Sequence, residues 1–200
     1  MSHARLVVPA SLLLAASGAA AAVTLAAEPS AGGLLVPPAA TLAIAQVKPD
    51  GAAAAAGSVA PAAELIDPAG LRKLLAAQRG KVVVLNLWAT WCVPCLREIP
   101  DLVALEKELA PRGVTLIGLG MDEPSALAEQ VEPFRRKNFP AFRTWLRSEP
   151  DMDALVSVVD PAWNEILPTT YLIGRDGKVA QKIQGKRTLE QFRELIREVP

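Results

Sequence analysis

The sequence predicts an α/β domain built on a central mixed β-sheet flanked by α-helices, and three observations carry that expectation. Lys81 to Trp88 and Val114 to Leu119 are near-continuous apolar runs of strand-forming residues, as strands buried on both faces require. Between them Leu96, Ile99, Leu102, Val103, Leu105 and Leu109 recur at helical spacing, so strand, helix and strand make a right-handed parallel crossover. Near the C-terminus, Thr169 to Ile173 and Val179 to Ile183 flank Arg175-Asp176-Gly177, which reads as a hairpin.

The domain is expected over residues 61–200, behind two segments of different composition. Residues 1–27 carry Arg5 and then an almost uncharged stretch from Leu6 through Ala27, with small residues at Ala20 and Ala22 or Thr24 and Ala26 in an A-x-A-like pattern. This reads as an export signal. Its apolar stretch of about 22 residues is near the roughly 20 that span a bilayer, so the segment is either cleaved or kept as a membrane anchor. Both fates put the rest of the chain outside the cytoplasm. Residues 28–60 are Ala, Pro, Gly and Ser with almost no charge and no aromatic residue, the composition of a flexible linker with little to bury. Every Trp, Phe and Tyr lies after residue 87, which leaves about 140 residues for one domain.

Within it, Asp67-Pro68 supplies an N-cap and a proline at the first helical position, and Leu71, Leu74 and Leu75 give that helix its apolar face before Arg79-Gly80. Pro100 is expected to kink the helix that follows the cysteines. Pro124 opens another helix, with Leu127, Val131 and Phe134 on one face. Asn138 to Asn164 reads less regularly, with a short strand over Phe142 to Leu146 and a short helix or irregular segment over Met152 to Val159. Thr188 caps a last helix carrying Leu189, Phe192, Leu195 and Ile196.

The only two cysteines, Cys92 and Cys95, follow the first buried strand at a spacing of three. At the start of a helix that spacing places both sulfurs on one face, and Cys92 at the N-terminus meets unpaired N–H groups and the positive end of the helix dipole, which favour a thiolate. The pair reads as a redox dithiol. A closed zinc site takes four ligands, and the single histidine, His3, lies in the export signal. A purely structural disulfide closing so short a loop removes little chain entropy.

Lys and Arg number 21 and Asp and Glu 21, so the chain has no net charge and no basic patch to bind nucleic acid. The densest basic cluster, Arg135-Arg136-Lys137, reads as a solvated helix end favoured by the dipole.

Trp88-Ala89-Thr90-Trp91-Cys92-Val93-Pro94-Cys95, Pro100 five residues on, and Leu167-Pro168-Thr169-Thr170 before a Tyr-Leu-Ile strand and an Asp-Gly hairpin resemble the thioredoxin superfamily. More narrowly they resemble its exported TlpA/ResA-like thiol-disulfide oxidoreductases, over roughly residues 62–199. The resemblance implies a thioredoxin-like fold in which Cys92 is the exposed attacking cysteine, Cys95 the buried resolving one, and Pro168 a cis-proline facing the disulfide. Where thioredoxin keeps a buried aspartate, this chain has Asn86, which takes no proton from a thiol. Cys95-Leu96-Arg97-Glu98-Ile99-Pro100 reproduces the family's Cys-x-x-Cys-x-x-Glu-x-Pro, which makes Glu98 the candidate base; the alternative is a surface glutamate favoured by the helix dipole. Trp91 either covers the active-site surface beside Cys92 or packs the helix N-terminus, and Trp163 either borders a substrate groove or packs the core.

The resemblance further implies a reductase acting on protein disulfide or dithiol clients, of the cytochrome c maturation type. An integral membrane electron-donor protein would re-reduce it, outside the cytoplasm or in the periplasm, with residues 6–27 as a membrane tether if they are retained. No cofactor is implied, because the dithiol itself carries the electrons. Potentials in this fold span about −270 to −120 mV, so oxidation of dithiols remains the opposing direction. Two further alternatives are a copper-handling protein using two soft thiolates and a redox-inert binding module. A thiol peroxidase of the superfamily would need Pro-x-x-x-Thr-x-x-Cys, and Leu85 and Ala89 stand at its Pro and Thr.

Overall fold

The computed structural model describes residues 59–200. The expected export signal over residues 1–27 and nearly all of the expected linker over residues 28–60 lie outside the described residues. In chain order the elements are β1 (Glu64–Ile66), α1 (Pro68–Ala76), β2 (Val82–Trp88), α2 (Val93–Leu109), β3 (Val114–Gly120), α3 (Glu132–Asn138), β4 (Thr144–Arg147), α4 (Met152–Val156), β5 (Thr169–Ile173), β6 (Val179–Gln184) and α5 (Leu189–Arg197). The strands form one sheet in the order β1-β4-β3-β2-β5-β6. β1, β4, β3 and β2 run parallel, β5 runs antiparallel to β2, and β6 runs antiparallel to β5. This is the mixed sheet with a terminal hairpin that the apolar runs predict.

β2 is buried at all seven positions because it is paired on both edges and covered on both faces. Val82 to Trp88 pair with Val114 to Gly120 on one side, and Val83 to Leu87 pair with Ile173 to Thr169 on the other. Asp67 caps α1 by accepting from the Gly70 N–H at 2.6 Å, and Pro68 takes the first helical position, where no N–H is needed. Thr188 and Gln191 form a reciprocal capping box on α5. Gly177 turns the β5–β6 hairpin at φ 78°, a conformation that an L side chain resists. α2 runs unbroken through Pro100.

Four regions differ from the sequence expectation. β1 has only three residues, too few to show a period, and it forms because β4 offers it a parallel edge. The strand expected over Phe142 to Leu146 is β4, over Thr144–Arg147, with Phe142 buried ahead of it against Trp88 at 5.6 Å between ring centroids. The single helix expected from Pro124 is instead a 3-10 turn (Pro124–Ala126), a π turn (Leu127–Val131) and then α3. Pro133 explains the break, since it has no N–H to give to the carbonyl four residues back. Arg135 is also not solvated. Its guanidinium is buried, donates twice to Glu132 at 2.9 Å, and donates to the Pro140 and Phe142 carbonyls at 3.2 Å. Those bonds pin the chain entering β4, and Arg135 in turn holds the Glu132 carboxyl down at about 2.

Gly118 sits at the crossing of these contacts. It pairs with Asn86 on one side and Thr144 on the other, and a methyl group there would collide with Phe142 and come within 2.7 Å of the Thr144 hydroxyl. Gly118→Ala is expected to lower stability by about 1–3 kcal/mol through overpacking, read from urea unfolding with the disulfide intact. Unchanged stability would show that the β3–β4 layer yields freely.

Candidate active site

β2 delivers the chain to a tight turn, Ala89 to Trp91, before α2 begins. The turn is fixed by β3. Met121 N–H donates to the Trp88 carbonyl at 2.8 Å, and Asp122 accepts from the Thr90 N–H at 3.0 Å and its hydroxyl at 2.5 Å. Gln130 Nε2 donates to the same hydroxyl at 2.7 Å. Asp122 is buried, and sequence reading missed it; the available signal was an acidic residue placed directly after the apolar run of β3.

Cys92 follows as the N-cap of α2, and its sulfur accepts from the Cys95 N–H at 3.3 Å. Val93 and Pro94 fill the first helical positions, which brings Cys92 and Cys95 into a disulfide with 5.3 Å between their Cα atoms. Cys95 is buried, as expected. Cys92 is not the exposed residue the resemblance implied, because with its sulfur bonded to Cys95 and held over the helix N-terminus it keeps only 5% of its surface. The residues flanking it are the exposed ones, Trp91 at 62% and Val93 at 54%. Trp91 is therefore a solvent-facing neighbour of the disulfide and not a packing residue of the helix.

One helical turn after Cys95, Glu98 is 1% exposed, which rules out a surface glutamate. Its Oε1 accepts from the Arg187 backbone N–H at 2.7 Å and its Oε2 from Asn86 Nδ2 at 3.1 Å. Asn86 Nδ2 also donates to the Thr170 hydroxyl at 2.9 Å, so one network joins β2, α2, β5 and the β6–α5 turn. Burial pushes the Glu98 carboxyl up to about 7. The two hydrogen bonds, followed by the positive charges of Lys186 and Arg187, pull the other way without cancelling that rise.

The β2–β5 pairing sets Leu87 opposite Thr169, so Pro168 lies one residue further, at the end of β2 from which the cysteine turn departs. Pro168 is buried, and the Leu167–Pro168 peptide bond is cis. Its carbonyl accepts from the Gly185 N–H at 2.9 Å. The Gly185–Arg187 turn thus bonds to both the proline loop and Glu98. Ahead of the proline, Glu165 takes a left-handed backbone at φ 58° and Ile166 is 45% exposed. Trp163 is buried and donates from Nε1 to the Thr169 hydroxyl at 3.3 Å, which makes it a core residue and not the border of a groove.

The arrangement combines a disulfide at a helix N-terminus, a carboxyl near neutrality behind it and the exposed apolar residues Trp91 and Val93 flanking Cys92. Such a set can take two electrons from a dithiol or, once reduced, give them to a disulfide, and move a proton while doing so. Among the described residues no group of three His, Cys, Asp or Glu side chains gathers to hold a metal ion.

Comparison with known proteins agrees with this geometry. Residues 56–182 match the AhpC/TSA family. The chain is 32% identical over 143 residues to the thiol-disulfide oxidoreductase ResA of Bacillus thuringiensis subsp. konkukian, covering 72% of this chain and 78% of that protein. It is 34% identical over 140 residues to ResA of Geobacillus kaustophilus, covering 70% and 75%. A Chlorobium tepidum crystal structure described as a thiol:disulfide interchange protein DsbE matches with a TM-score of 0.52 at 25% identity, covering 70% of this chain and 94% of that one. A second structure from that organism, of a thioredoxin family protein, shares the fold with a TM-score of 0.53 at 23% identity. The chain belongs to the AhpC/TSA family, among the TlpA/ResA-like thiol-disulfide oxidoreductases of the thioredoxin superfamily.

Proposed function

We propose that this oxidoreductase works outside the cytoplasm as a protein-disulfide reductase, with Cys92 attacking, Cys95 resolving, Glu98 handling the proton, and Pro168 and Trp91 bordering the client. The observation that carries this reading is the Cys92–Cys95 disulfide at the α2 N-terminus with the buried Glu98 carboxyl one turn behind it.

In the reduced protein the Cys92 thiolate attacks one sulfur of a client disulfide, forming a mixed disulfide and releasing the other client sulfur as a thiolate. Ionised Glu98 takes the proton of the Cys95 thiol. Cys95 then attacks the Cys92 sulfur, which expels the second client thiolate and closes the Cys92–Cys95 bond. Two electrons have passed to the client, and a dithiol of a membrane electron-donor protein returns them by the reverse exchange. The exposed Trp91, Val93 and Ile166 offer an apolar rim to an unfolded or extended client segment. The uncharged 6–27 stretch supports export and, if retained, a tether. Supply from a membrane dithiol and action in cytochrome c maturation follow the resemblance and define the client class to test first.

Cys92→Ser is expected to abolish insulin reduction, whereas Cys95→Ser should accumulate mixed disulfides visible on non-reducing gels; trapping through Cys95 instead would reverse the assignment. A Cys92/Cys95 potential near about −250 mV or lower, with insulin turnover, supports the reductase, and one near about −120 mV turns the reading to an oxidase.

Glu98 binds its proton more tightly in the folded chain, near 7, than at its ordinary value of 4.5. Stability is therefore fullest below the lower value, falls as pH rises between the two, and reaches its full loss above the folded one. That loss is on the order of 3 kcal/mol, so urea unfolding of the oxidised protein should give a lower stability at pH 8 than at pH 5, and Glu98→Gln should flatten the difference. An unchanged pH slope in the variant would remove Glu98 as its source.

A further inference from the structure

Asn86 Oδ1 is the one buried side-chain polar atom among the described residues that has no hydrogen-bond partner. Buried acceptors are nearly always paired, so this one calls for a reason. The other arm of the same amide is fully used, donating to Glu98 Oε2 at 3.1 Å and to the Thr170 hydroxyl at 2.9 Å.

The surroundings of Glu98 supply the reason. Both of its hydrogen bonds come from donors, Asn86 Nδ2 and the Arg187 N–H, a shell that suits an ionised carboxylate and offers nothing to the proton of the neutral acid. The charged groups facing it are Lys186 and Arg187 on the β6–α5 turn, which favour the anion, while burial favours the acid. Cys95 lies one turn back on α2, and Thr170 on β5 reaches Glu98 only through Asn86. A carboxyl so balanced exchanges its proton near neutrality, and each form then needs a partner of opposite hydrogen-bonding sense at Oε2.

Asn86 holds both senses on one planar fork, exchanged by a half-turn of the amide. We infer that Asn86 is a positioning residue whose amide turns over with the proton on Glu98: Nδ2 donates to the carboxylate, and Oδ1 accepts from the carboxylic acid. The Thr170 hydroxyl follows without moving its oxygen, accepting from Nδ2 in the first state and donating to Oδ1 in the second. Each state leaves one amide atom unpaired, Oδ1 in the first and Nδ2 in the second, and the bond to Glu98 offsets that cost in either. An aspartate at this position would add a like charge, and a leucine would serve neither form. The inference rests on the Glu98 reading only in that Glu98 exchanges a proton, and not on the direction of electron flow.

Carbon-13 NMR of the full oxidised chain without client, from pH 5 to pH 9, tests it. The Asn86 side-chain carbonyl carbon is expected to titrate with the same midpoint as the Glu98 carboxyl carbon. The contact between the Asn86 amide protons and the Thr170 methyl should be present at high pH and lost in Glu98→Gln, whose amide donates permanently toward Asn86. Asn86→Leu should raise the Glu98 midpoint by about one pH unit, since the charge-assisted bond it removes is the stronger of the two. An Asn86 signal that stays flat while Glu98 titrates overturns the inference, as does a Glu98 signal that never titrates in this range. Client turnover by Glu98→Gln is a separate measurement, so the catalytic reading of Glu98 and the turnover of Asn86 can fail independently.

Discussion

A strand that is hydrogen-bonded on both edges and buried on both faces leaves no freedom in where its last residue points, and β2 is such a strand. Its seven residues lie between β3 and β5, so Trp88 is delivered to a fixed place and the chain must turn there. The disulfide, the Asp122 clamp on Thr90 and the placing of Pro168 opposite the end of β2 all follow from that position. A slip of one residue in the β2–β5 register would send Asn86 to the other face and remove the donor from Glu98. The chemistry of the cysteines is thus set by sheet pairing as much as by the motif that contains them.

Glu98 is the most costly polar group placed behind the cysteines. A carboxyl with almost no exposure costs stability when ionised, and a helix that only had to pack would carry an aliphatic residue there. The Arg187 N–H and the Asn86 amide offset part of that cost, leaving a group near neutrality behind the disulfide. Glu106, further along the same helix, is the contrast. It too is raised by burial, but its carboxylate accepts from the Leu116 N–H and Thr115 hydroxyl and closes an edge of β3 that β4 does not reach. The two glutamates on α2 therefore sit differently, Glu98 buried behind the disulfide and Glu106 half-buried over open backbone of β3.

The part between β3 and β5 is held by buried arginines more than by hydrophobic periodicity. Arg135 gathers the carbonyls before β4, and Arg147 gathers those of Met121, Glu149 and Pro150 while pairing with Glu123 at 2.6 Å. A guanidinium with several donors in one plane suits this role, since it can satisfy loop carbonyls that no strand or helix pairs. Sequence patterns describe apolar faces, so a segment organised by cations inside the fold reads as irregular.

The sequence alone determined the features that depend on local chemistry. These are the buried runs of β2 and β3, the Asp67-Pro68 and Thr188 caps, the Asp-Gly hairpin, and a dithiol whose first cysteine begins a helix; each is written in neighbouring residues whose propensities agree. The spacing from Cys95 to Glu98 was legible too, but its meaning was not, because a glutamate early in a helix is equally at home in water. Tertiary structure decided that meaning by closing β5 and the β6–α5 turn over the side chain. It likewise made Arg135 an interior residue, turned Asp122 into the clamp on Thr90, and set Pro168 beside the cysteine turn through pairing across residues far apart in the chain. Burial and long-range register are properties of the assembled sheet, and no window of sequence contains them.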